Sequence, residues 1–309
     1  MRYALPIAVF LLMASLGLSL RPGEVAANWK RLQWPAWVSL VVATFILPPA
    51  LALLLATLLH LSPAETAGLF MVGAIPGAPL ITRNVRRKGF NPQIAASYQI
   101  WAALMVPVLI PFIVAAAGRL YHRDIWIAPG VLIRQIVLKQ LVPLALGMVI
   151  AWFAPRKAER WQPAVNIFGN LLFFGLLAFV LYRIGPSLKL ITPLVPLGAL
   201  LLAVGAVASI RLLRFPNPQV RETFALCNVN RNTGLALLLT LQFIRTQGSP
   251  LPVIACYALL APLIMLLYAR YSQRTEKRHT VSAGISGISA PSPQSEMPDS
   301  KPLKRRGTG

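Results

Sequence analysis

The sequence predicts an all-α, polytopic membrane protein with about nine transmembrane helices. Three observations carry this. Of the 309 residues, 56% are hydrophobic and only 12% charged, too little charge to cover a soluble domain of this size. Apolar runs of roughly 18 to 25 residues recur, long enough to cross about 30 Å of hydrocarbon. Lysine and arginine gather on alternate connections between those runs. A transmembrane β-barrel would show short alternating segments instead.

The runs lie near residues 4–20, 35–59, 65–82, 92–117, 132–153, 163–182, 190–210, 219–243 and 250–270. The first follows a single Arg2, and no small-x-small cleavage site succeeds it. Ala4–Leu20 therefore reads as a span and not a signal peptide. The fifth opens with an interfacial piece carrying Arg134 and Lys139. One set of connections, with the tail from Arg270, holds 21 of the 30 basic residues, and the other set holds 6. Arg134, Lys139 and Arg231 fall inside spans. The positive-inside rule then places the C-terminus in the cytoplasm. Nine spans place the N-terminus outside, with the chain in the cell (inner) membrane.

The net charge of +22 is thus a matter of topology, and no nucleic-acid partner is implied. Cys227 and Cys256 lie in apolar segments and give neither a disulfide framework nor a metal spacing. His60, His122 and His279 lie near loops or in the tail, and no span holds an Asp/Glu pair. An enzyme, a resident metal and a cofactor are not expected. The partners expected are the lipid bilayer and a small organic anion.

Residues 1–271 read as the membrane domain and 272–309 as a cytoplasmic tail. From about Thr280 the tail is rich in Ser, Gly and Pro and reads as disordered. Its "KPLKRR" cluster suits anionic lipid head groups.

Two spans are interrupted. The third reads "TAGLFMVGAIPGAPLITRN", with Gly73, Pro76, Gly77, Ala78 and Pro79 crowding its far half. Proline removes a donor and clashes with the preceding turn, and Gly77 tolerates the backbone angles that follow. The eighth carries "CNVNRNTG", with Asn228, Asn230, Arg231 and Asn232 in five positions. Non-helical backbone at membrane depth is tolerated only where protein or a water-filled cavity satisfies it. Two interrupted helices in two halves mark the binding site of a secondary transporter. The halves, about 1–125 and 126–271, read as inverted repeats of five helices with the very first absent. "GFNPQ" follows the first break and "FPNPQ" precedes the other, and their likeness suggests a further correspondence.

These residues resemble the bile acid:sodium symporter family over roughly residues 8–270. "LLMASLGLSL", "GAIPGAP", "VLKQLVPLALGMVI" and "RNTGLALLL" carry the likeness, in the family's order and spacing. The resemblance implies a core domain around two crossing broken helices and a panel domain of spans one, five and six. It further implies an organic anion bound between them and carried by alternating access. The substrate-binding residues then expected are Pro76, Gly77, Thr82, Asn228, Asn230, Arg231 and Asn232. Ser97, Gln99, Asn166 and Asn170 are candidates to line the cavity.

The family's sodium ligands do not carry over. Its Ser-Asn after the first motif falls on Ile81 and Thr82, and its Glu and Gln in the second fall on Cys227 and Arg231. A fixed guanidinium repels a cation and cannot be deprotonated. Three readings stand for Arg231: a bidentate anchor for a carboxylate or sulfate, a structural cation tethering broken-helix carbonyls, or a residue beyond a misplaced helix end. The reading is a secondary transporter of a small organic anion without retained sodium ligands. The alternative is a membrane receptor or scaffold that keeps the fold without transport.

Overall fold

A computed structural model describes residues 4–20, 23, 34–78, 81–120, 128–188, 192–215, 217–243 and 248–288. Among them every regular element is helical. The order is α1 (Ala4–Ser19), α2 (Trp34–Leu58), α3 (Pro63–Ala74), α4 (Ile81–Arg87), α5 (Pro92–Leu120) and α6 (Pro129–Phe153). There follow α7 (Pro155–Leu188), α8 (Leu194–Arg211), α9 (Pro218–Val229), α10 (Thr233–Phe243) and α11 (Leu251–Ile288). Each apolar run of the sequence coincides with one helix or with one interrupted pair, α3–α4 and α9–α10. Six of these helices are long and apolar enough to cross a bilayer unaided. The protein is a polytopic all-α membrane protein.

Helix starts follow local chemistry. Ser62 and Glu65 form a reciprocal cap at α3. Asn91 Oδ1 accepts from Gln93 N–H at 2.9 Å to open α5, and Asn217 Oδ1 accepts from Gln219 N–H at 2.8 Å to open α9. The repeated Asn-Pro-Gln is therefore one capping device used twice. It opens the helix after the first break but the first half of the second broken helix, so it does not mark corresponding positions of a repeat.

Prolines shape α2 and α6. Each helix contains a π-turn, at Val42–Ile46 and Val137–Leu141, just ahead of Pro48–Pro49 and Pro143. In α2, Leu47 N–H bonds the Val42 carbonyl, five residues back. Pro48 and Pro49 carry no N–H to continue that ladder. The carbonyls of Ala43 and Thr44 are thereby left to side chains.

The compact unit is Met1–Ala269. Within it α1 packs extensively against α6 and α7, forming one group. Gly17 and Gly147 make this close: a Cβ on Gly17 would strike the Leu144 carbonyl, and one on Gly147 the Ala14 carbonyl. The other group packs α2 against α3 and α8, α8 against α9, α5 against α4 and α9, and α10 against α3. These two groups are the panel and the core. Arg270–Gly309 is a second unit. Its described part is the end of α11, which continues to Ile288, into the segment read as disordered from Thr280. Extending an existing helix adds one hydrogen bond per residue fixed, so a long helix carries past weak formers.

Candidate functional site

The two breaks meet. Ile75 is extended, and Gly77 adopts φ +86°, so α3 ends and the chain turns. The second break runs through Asn230–Asn232. Asn232 N–H donates to the Ile75 carbonyl at 3.0 Å, and Ala78 N–H donates to the Asn230 carbonyl at 3.1 Å. Each break supplies what the other lacks, which answers the cost of open backbone at membrane depth. Gln99 of α5 braces the first break: its Nε2 donates to the Ala78 carbonyl at 2.7 Å, and its Oε1 accepts from Thr82 Oγ1 at 2.9 Å. Pro79 and Leu80 lie outside the described residues.

Arg231 lies at this crossing and is only 2% exposed. Its Nη1 donates to the Thr44 carbonyl at 2.9 Å, one of the two that Pro48 and Pro49 set free. Its Nε and Nη2 make no hydrogen bond within the chain. Two neighbours share this property: Thr44 Oγ1, and Asn232 Nδ2, whose amide oxygen caps α10 through Leu235 N–H at 3.0 Å. Buried polar groups are normally paired, so a cluster of orphans asks for a ligand or water. Tyr257 stands beside the guanidinium and donates its hydroxyl to the Val229 carbonyl at 2.8 Å.

A cavity of about 120 Å³ opens on the crossing. The panel contributes Val9, Leu12, Phe173, Phe174 and Leu177, and α11 contributes Ala258, Ala261 and Pro262. The polar wall is Asn84, Asn230, Arg231, Asn232, Thr233 and Tyr257. Apolar surface faces one cation. Among the described residues Glu65 lies in the first turn of α3, Glu159 and Glu222 lie beyond the first turns of α7 and α9, and none of the three borders this cavity. Glu222 is engaged by Arg211, Arg221 and the Tyr268 hydroxyl.

Of the residues expected at a binding site, Asn230, Arg231 and Asn232 come together on this wall. Pro76 and Gly77 are buried and shape the break without bordering the cavity, and Thr82 serves Gln99. Asn228 has a different role. Its Nδ2 lies 3.0 Å from the Ala43 carbonyl, 2.7 Å from that of Ala206 and 2.9 Å from Ser209 Oγ. Its Oδ1 accepts from Tyr98 Oη at 3.0 Å. With every polar atom occupied it is a strut between α9, α8, α2 and α5, not a ligand. Ser97 bonds back to the Gln93 carbonyl, and Asn170 donates to Asn166 within α7. None of Ser97, Gln99, Asn166 and Asn170 borders this cavity.

Sequence reasoning missed Thr44, Asn84, Phe173, Leu177 and Tyr257. A signal existed for Thr44 alone: paired prolines free the carbonyls four and five residues before them. At the positions where the resemblance expects sodium ligands, Cys227 is fully buried and Arg231 reaches the Thr44 carbonyl, and among the described residues no carboxylate borders the cavity.

A sequence model of the Sodium Bile acid symporter family matches residues 6–208, more than half the chain. The matched stretch stops short of α9. A curated relative, an uncharacterized sodium-dependent transporter named YocS from Bacillus subtilis, is 28% identical over 197 residues. That alignment covers 56% of this chain and 58% of the relative, less than two thirds of its length. The helical order, the crossing of two broken helices and the matched segment agree: this chain belongs to the sodium bile acid symporter family.

Proposed function

We propose that the protein is a secondary transporter of a small organic anion, working by alternating access across nine spans. The nine count α1 and each interrupted pair as one. The carrying observation is Arg231, a buried guanidinium with two unpartnered nitrogens, bordering a largely apolar cavity between panel and core. Such a site suits an apolar body with one carboxylate, sulfonate or sulfate. Arginine's planar donors match those groups, and the half-helix start at Asn232–Leu235 adds positive potential. Movement of α1, α6 and α7 against the core would expose the cavity to one side and then the other. Lys139 of α6, which donates to Gln242 of α10 at 2.9 Å, is a tie that such movement must break.

A second reading, sodium coupling, is favoured by the name of the relative. Against it stand Cys227 and Arg231 where hard oxygen ligands are needed. The test is a stability screen of purified protein over organic anions with and without sodium, since a ligand of the native state raises its apparent stability. The reading predicts stabilisation by aromatic sulfonates and carboxylates at equal strength in either buffer. Stabilisation only with sodium moves the assignment to the second reading. Anion binding without flux in liposomes makes the protein a receptor.

A further inference from the structure

We infer that this protein exchanges one anion for another and does not carry anions in net flux, because among the described residues Arg231 is the one cation that borders the cavity. The inference rests on the transport reading above and adds its coupling.

The physical reason is the state of the guanidinium when no anion is present. Arg231 is 2% exposed and cannot lose its proton. One nitrogen is held by the Thr44 carbonyl, the neutral Tyr257 hydroxyl stands beside the guanidinium, and Nε and Nη2 make no well-formed hydrogen bond among the described residues. No described carboxylate lies at the crossing to take the anion's place. The acceptors must come from outside, either the anion or water. With an anion bound, the crossing is neutral and the panel can close over it. Without one, closing the panel strips water from an unpaired buried cation, the costliest kind of desolvation. The loaded carrier therefore turns over readily and the empty one is held back, on the order of 100-fold. A carrier that returns only when loaded is an exchanger. It needs no co-ion, because the balancing charge is part of the chain.

Proteoliposomes containing the full chain test this with labelled benzenesulfonate, whose permanent charge prevents leakage through lipid. Vesicles are filled with unlabelled benzenesulfonate or with an impermeant polyanion, in sodium-free buffer. Initial uptake is expected to be at least tenfold faster into the first set, and unchanged by added sodium. Arg231→Lys, which keeps the charge, is expected to keep a preference for exchange. Arg231→Gln is expected to lose uptake in both sets while purifying as folded protein. Equal, measurable rates in the two sets overturn the inference and leave the transport reading standing. So does a sodium gradient that drives accumulation into vesicles without internal benzenesulfonate. Wild-type uptake in neither set, with benzenesulfonate still binding, overturns the transport reading and this inference together.

Discussion

Replacing Asn228 separates a strut from a ligand. In Asn228→Ala the Tyr98 hydroxyl, on a side chain only 1% exposed, loses its acceptor. An orphaned buried donor costs about 1–3 kcal/mol. The Asn228 amide also gives up its bonds to Ala43, Ala206 and Ser209. Two N–H groups share those three acceptors, Ser209 Oγ keeps Ala43 and Ala206 as partners, and each net bond is worth about 0.5–1.5 kcal/mol. The sum is a loss of about 2–6 kcal/mol in unfolding free energy, measured in mixed micelles. Affinity for benzenesulfonate should be unchanged in the fraction that remains folded. Tyr98→Phe removes the orphan, so the double mutant should be less destabilised than the two singles summed, by about 1–2 kcal/mol. Wild-type stability for Asn228→Ala, strict additivity, or a selective loss of ligand affinity would each refute the role of strut.

Gly77→Ala places a side chain at φ +86° and brings its Cβ to 3.2 Å from that of Ala102; left-handed backbone alone costs about 1–2 kcal/mol, so unfolding free energy should fall by at least that much. Pro48→Ala restores an N–H four residues beyond the Thr44 carbonyl, which then competes with Arg231. Several-fold weaker benzenesulfonate binding is expected, and unchanged binding speaks against the bulge as the guanidinium's seat. Gly234→Ala brings a Cβ to 3.0 Å from Phe173 Cε2, across the panel–core boundary. Slower uptake is expected, with Phe173→Leu in the same chain restoring it; a rate at the wild-type level without that second change would show the boundary to be slack. Gly17→Val drives a branched side chain into the Leu144 carbonyl and should destabilise the panel by about 1–3 kcal/mol, read as a lower melting temperature.

Much of the architecture was legible in the sequence because lipid imposes simple rules. A span must be apolar for its whole length, so each helix announced its place. A break must carry residues that cannot continue a helix, so Pro76–Gly77 and the asparagine run stood out. The meeting of those breaks was implied only by family likeness, because a backbone hydrogen bond between Ile75 and Asn232 has no side-chain signature. The partner of Arg231 had only an indirect signal, the paired prolines that free its carbonyl: Thr44 contributes a backbone group, which every residue possesses, and sits 187 positions away. Asn228 was misjudged for a related reason. Asparagines at a break look alike in sequence, and only packing shows that Asn228 is saturated while Asn232 keeps a free amide. Phe173 and Leu177 were hidden in an apolar helix whose lipid-facing and cavity-facing residues have the same composition.

The central claim is that the guanidinium at the crossing recognises the charge of the substrate. Its most direct test is equilibrium binding of benzenesulfonate against the neutral isostere benzenesulfonamide, to wild type and to Arg231→Gln, in sodium-free buffer. Wild type should bind the sulfonate and discriminate strongly against the sulfonamide, and Arg231→Gln should bind the two alike and weakly. Discrimination that survives intact in Arg231→Gln would contradict the claim.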